Sequence, residues 1–72
     1  MQKKTLPDLI VENWNLKHRV GTPVNLRKDN GDIFKTYTTA EAFVSNSGHA
    51  VCYFEGVSGF YMLDRATPVD GN

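Results

Sequence analysis

Residues 49–64, HAVCYFEGVSGFYMLD, constrain the fold more than any other stretch, because two short apolar runs flank a glycine-bearing turn. Residues 50–55 and 60–63 are rich in Val, Tyr, Phe, Met and Leu, and Gly56-Val57-Ser58-Gly59 between them is turn chemistry. This predicts a hairpin with a four-residue loop. Phe54 then pairs with Tyr61 and Cys52 with Leu63 on one face, and Tyr53 pairs with Met62 on the other, with Val51 and Phe60 beside them. Both faces are apolar, whereas a ribbon buried on one side alternates apolar with polar. The second face therefore needs a cover, either the N-terminal segment of this chain or a partner.

The chain has 72 residues, a length at which burial only just offsets chain entropy, so one domain is expected over 1–72. Eight basic side chains balance eight acidic ones, which excludes an overall positive field that would gather nucleic acid or anionic lipid and leaves room only for a local basic patch. The single cysteine cannot form an internal disulfide, and between Val51 and Tyr53 it suits a small buried residue in a reducing compartment. No apolar run approaches the ~20 residues of a membrane span. Met1-Gln2-Lys3-Lys4 leads to Pro7 and Asp8, not to an apolar signal core, so a cytoplasmic protein without a membrane partner is expected.

Thr5 can cap a helix over about 6–18 whose first turn holds Pro7 and Asp8, where a missing N–H and a negative charge are both favourable. Leu6, Leu9, Ile10, Trp14 and Lys17 recur at helical spacing and predict the packed stripe, with Trp14 as its plug. Lys17, His18 and Arg19 place positive charge at the helix C-terminus. Val24 and Leu26 then alternate with Asn25 and Arg27 as in a half-buried strand. A two-residue turn at Asn30-Gly31 would oppose Asp29 to Asp32. A three-residue loop with Gly31 left-handed instead pairs Lys28 with Asp32 and Leu26 with Phe34, and is the predicted register. A hydroxyl-rich strand follows through Tyr37 and Thr38. Residues 39–44 fit either one helical turn or a strand with a bend. Residues 45–48 read as a loop, and residues 65–69 as a last short edge strand, the one place where Pro68 is tolerated. The sum is a mainly β fold with one N-terminal helix: a small, partly open barrel of about five strands, SH3-like or OB-like, over about 20–69.

Trp14-Asn15, Val20-Gly21-Thr22-Pro23-Val24, the Thr-rich segment before Ala42-Phe43, Gly48-His49 and Glu55-Gly56-x-Ser58-Gly59 together resemble a group of small proteins encoded by phages, prophages and some actinobacteria. The likeness spans roughly 14–69. The group carries arginines in the Thr-rich segment and a tryptophan after the alanine, where this chain has Tyr37, Thr39 and Phe43. The resemblance implies a phage accessory protein and no particular reaction.

Chemistry-bearing residues are sparse. His18, His49 and Cys52 lack the paired spacing of metal ligands, so neither metal nor cofactor is expected. His49 and Cys52 are three apart, which on a strand sends them to opposite faces. The acids show no pair spaced for proton transfer. An enzyme is therefore not expected. The favoured reading is a binding module that presents Tyr37, Tyr53, Phe60 and Met62 to a host or phage protein, or to a second copy of itself. One alternative is single-stranded nucleic-acid binding, with Arg27, Lys28, Lys35 and Arg65 meeting phosphates. Another is sequestration of a small nucleotide-like ligand by Thr36, Thr38, His49 and Ser58 beside Tyr37.

Overall fold

The structure, a computed structural model, describes residues 4–69. Helix α1 is Leu6–Lys17. Thr5 caps it in a reciprocal box: the Thr5 backbone N–H donates to the Asp8 carboxylate at 3.0 Å and the Asp8 N–H donates to Thr5 Oγ1 at 3.4 Å. The same backbone donor, helped by the Thr5 hydroxyl, holds the Asp8 carboxyl below the ordinary carboxylate range. At the other end the His18 N–H donates to the Trp14 carbonyl at 2.8 Å. The packed face differs from the predicted stripe. Val11 and Trp14 lie against the core, while Leu6, Leu9 and Ile10 are exposed at 70%, 50% and 41%. The reason is Asn15, whose polar anchor on the sheet fixes the helix's rotation about its axis and turns the leucines outward.

Strands β1 (Pro23–Arg27) and β2 (Ile33–Tyr37) form the first hairpin with Leu26 opposite Phe34. Its turn is the predicted three-residue loop: the Lys28 N–H donates to the Asp32 carbonyl at 2.8 Å, and Gly31 sits at φ +92°. Strand β6 (Ala66–Pro68) pairs with the other side of β1, which makes a three-stranded antiparallel sheet in the order β2-β1-β6 with Pro68 on an edge strand. A second antiparallel sheet has the order β3-β4-β5, from β3 (Phe43–Val44), β4 (Ala50–Tyr53) and β5 (Phe60–Met62). A 3-10 turn, Leu63–Arg65, links β5 to β6.

The central hairpin keeps the predicted faces but not the predicted register. Cys52 lies opposite Tyr61, Tyr53 opposite Phe60 and Val51 opposite Met62, two residues out of step with the four-residue-loop count. Phe54 is the cause. It pairs with Thr38 in an isolated antiparallel bridge and sinks into the core, so it cannot also face Tyr61. Because the slip is even, every side chain stays on its face.

The stretch that was ambiguous in sequence is where the chain passes from one sheet to the other. On either side of the Thr38–Phe54 bridge, the Glu55 N–H donates to the Tyr37 carbonyl and the Thr39 N–H to the Tyr53 carbonyl, each at 3.0 Å. Pairing resumes with Phe43 opposite Val51, so residues 40–42 stand opposite Cys52 alone, as a three-against-one bulge. Asn15 on α1 clamps this bulge. Its amide donates to the Ala42 carbonyl at 3.1 Å and accepts from the Ala42 N–H at 2.9 Å. The Cys52 thiol donates to the Ala40 carbonyl at 3.1 Å. Beneath it the core joins Val24, Leu26, Ala42, Cys52, Phe54, Leu63 and Ala66. The described strands do not close into a barrel; they form two small sheets with one helix against the second.

Asn15→Ala leaves both backbone groups of Ala42 without their partner, and urea denaturation should show a loss of about 2 kcal/mol, the usual cost of orphaned, partly buried polar groups. Gly31→Ala and Gly56→Ala both place a methyl at positive φ. At Gly56 that methyl also meets the Phe34 ring at 3.3 Å, whereas nothing lies within 4 Å at Gly31, so Gly56→Ala should lower the melting temperature more.

Candidate functional site

The outer face of the β3-β4-β5 sheet is the best-developed surface in the molecule. Alternation along β4 sends Cys52 inward and Val51 and Tyr53 outward. Cross-strand pairing adds Phe43 beside Val51 from β3, Met62 across from Val51, and Phe60 across from Tyr53. The rings of Phe43, Tyr53 and Phe60 form a triangle with centroids 5.5, 5.7 and 6.1 Å apart, one pair stacked and two edge-to-face. Val51 is buried (1% exposed) although it lies outside the main core, because its cross-strand neighbours shield it. Tyr53, Phe60 and Met62 remain 43%, 47% and 37% exposed. The cover that both apolar faces call for is thus absent on this side among the described residues. A hollow bounded by Phe60, Tyr61 and Met62 adjoins the triangle, with the Arg65–Asp29 ion pair (3.2 Å) on its rim.

Tyr37 is also exposed. The hydrogen bonds flanking the Thr38–Phe54 bridge put it on the same side of the ladder as Tyr53, opposite Glu55, but among the described residues no ring contact joins it to the triangle. The structure therefore brings Tyr53, Phe60 and Met62 together with Tyr37 at the margin, and adds Phe43. Sequence reading missed Phe43 because the strand or helix state of residues 39–44 was open, and only the strand puts its ring beside Tyr53.

The two alternative sets fare differently. Arg27, Lys28 and Arg65 line one hollow, but Asp29 and Asp64 line it too, Arg65 is paired with Asp29, and the Lys28 ammonium sits 5.2 Å from the centre of the Phe34 ring. Lys35 lies apart, opposite Asn25 on β1, whose buried amide oxygen has no hydrogen-bond partner among the described residues. Mixed signs of this kind do not make the single-sign groove that tracks a phosphate backbone. Of the polar set, Thr38 is buried, and its hydroxyl accepts from the N–H groups of Gly21 and Thr22 at 3.0 and 3.2 Å and donates to the Arg19 carbonyl at 3.3 Å. The Thr36 hydroxyl donates to the Glu55 carbonyl at 2.6 Å. His49 and Ser58 are exposed in separate turns. Both threonine hydroxyls thus serve the backbone at the junction between sheets.

Among the described residues no three His, Cys, Asp or Glu side chains gather as metal ligands, and no helix is long and apolar enough to cross a membrane. Comparison with protein-family models, curated proteins and solved structures finds no match, so the likeness to phage-encoded proteins rests on its motifs alone.

Burial pushes the Cys52 thiol up, and outweighs the smaller lowering effect of the neighbouring Tyr53 and Ala40 backbone. The unfolded thiol ionises near pH 8.5 while the folded one stays protonated, so its contribution to stability is complete below that pH and is lost as pH rises through the raised folded value. Denaturant titrations between pH 7 and 10 should show a steeper alkaline fall for the native protein than for Cys52→Ala. The native thiol should also react with a disulfide reagent only at the rate of unfolding.

Proposed function

We propose that the chain is a non-enzymatic binding module that works by protein–protein contact through the outer face of its second sheet. The observation that carries this reading is an aromatic and thioether surface, Phe43, Tyr53, Phe60 and Met62, left partly exposed while the helix and the first sheet pack against the other side of the sheet that carries it. Such rings are the usual anchors of protein interfaces: they bring large apolar area at low cost in side-chain freedom. The sequence motifs supply the setting, an accessory protein of a phage or prophage acting on a host or phage factor inside the host cell. The finer description of the fold, a partly open SH3-like barrel, belongs to the same proposal and is supported by the bridge that links the two sheets.

The native protein and the double variant Tyr53→Ser/Phe60→Ser serve as baits in host extract, and whatever the native bait retains is then titrated in purified form against both. The double variant should keep the native circular dichroism, lose about 1 kcal/mol of stability with the ring contacts, and bind at least about tenfold more weakly. Equal affinity for the two proteins would defeat the reading. So would tight binding of a single-stranded oligonucleotide that weakens steeply with salt, which would favour phosphate contacts instead.

A further inference from the structure

The helix has a second apolar surface that neither the core nor the sheet face uses. Leu6, Leu9 and Leu16 are 70%, 50% and 87% exposed, and they lie on the side of α1 opposite Val11 and Trp14. With Asn13 they follow a 3-4-3 spacing, the a-d-a-d seam of a coiled coil. In that frame Glu12 occupies the g position and Lys17 the following e position. These two positions meet across a parallel pair of helices.

We propose that this face docks on a second copy of the same chain, as a parallel, in-register pair of α1 helices. Three observations select that occupant. Asn13 is exposed and central in the seam; its amide carries both donor and acceptor, so the group best suited to face it is another Asn13. Glu12 of each copy comes opposite Lys17 of the other, giving two reciprocal ion pairs, whereas an antiparallel pairing would set Asn13 against a leucine. The Glu12 carboxylate now pairs with Lys4 at the exposed surface, an interaction weak enough to exchange, and Lys17 has no acidic partner among the described residues. The helix is already capped at both ends and held on the sheet by Asn15, so pairing meets no cost of helix nucleation.

The four seam residues expose on the order of 400 Å² per copy, about half of the ~800 Å² that each partner in a stable interface buries. Association is therefore expected to be reversible and dependent on concentration. Because the seam and the aromatic sheet face are separate surfaces, this inference does not rest on the proposed function.

Sedimentation equilibrium from micromolar to millimolar protein should show the mass rising from 8.1 kDa towards twice that value. Leu16→Lys, at a site too exposed to affect folding, should weaken association by at least about tenfold. Lys17→Glu should do the same by setting Glu12 against a carboxylate, and Glu12→Lys combined with Lys17→Glu should restore it. Asn13→Cys should form an interchain disulfide under mild oxidation, as a parallel in-register pair requires. A mass fixed at 8.1 kDa through millimolar concentration overturns the proposal. Association that survives both Leu16→Lys and Lys17→Glu but is lost in Phe60→Ser also overturns it and assigns self-contact to the sheet face; rescue failing in the charge swap, or no disulfide from Asn13→Cys, rules out the parallel pairing.

Discussion

One side-chain amide holds the two halves of this fold in register. Where the chain leaves the first sheet and enters the second, it carries two residues more than its partner strand, and the backbone of Ala42 would face the interior unpaired. Asn15 supplies a donor and an acceptor in the geometry of a strand neighbour and completes the ladder from the helix side. The helix orientation, the inward seat of Trp14 and Val11, and the outward turn of the leucines all follow from that anchor. Thr38 does comparable work two residues before the bulge, tying the residue 19–22 linker to the strand that changes sheets.

Polar side chains at the junction serve the backbone, and this decides what remains for the surface. The hydroxyls of Thr36 and Thr38, which sequence alone offers as ligand contacts, are bonded to main-chain groups. The basic residues near the first turn are interleaved with Asp29 and Asp64. Two apolar groups face outward without a structural duty: the ring triangle on the second sheet and the leucine seam on the helix. A chain of this length has few elements with which to cover its own faces, yet side chains this exposed and this well grouped are more than a shortage of covers requires.

The local features were legible in the sequence because their causes are local. The Thr5–Asp8 box, the Gly31 loop and the two-sided apolar hairpin each follow from a few neighbouring residues. Sequence and structure part where distant residues decide. Phe54 looked like a hairpin residue until Thr38, sixteen positions earlier, claimed it, and the four-residue loop became a six-residue one. Leu6, Leu9 and Ile10 have the spacing of a buried stripe, and only the contact of Asn15 with a residue 27 positions away reveals that the helix is rotated from it. The choice between helix and strand at residues 39–44 also hid Phe43, the third ring of the surface. A signal was present in retrospect: Asn15 beside Trp14 near a helix end is a polar group at the border of a packed face, where it must find a partner.

The pairing of β6 with β1 brings residues 66–68 alongside residues 24–26, about forty positions earlier in the chain. The first sheet therefore cannot be completed by neighbours in sequence; its central strand waits for the last strand to arrive, and the intervening loop entropy must be met before those hydrogen bonds form. During synthesis the emerging polypeptide can assemble its helix and first hairpin early, but this architecture condenses only after residues 66–68 have left the ribosome. Until then the greasy strands of the second hairpin are open to chaperones and to one another, which makes the speed of that final closure a determinant of yield as well as of shape.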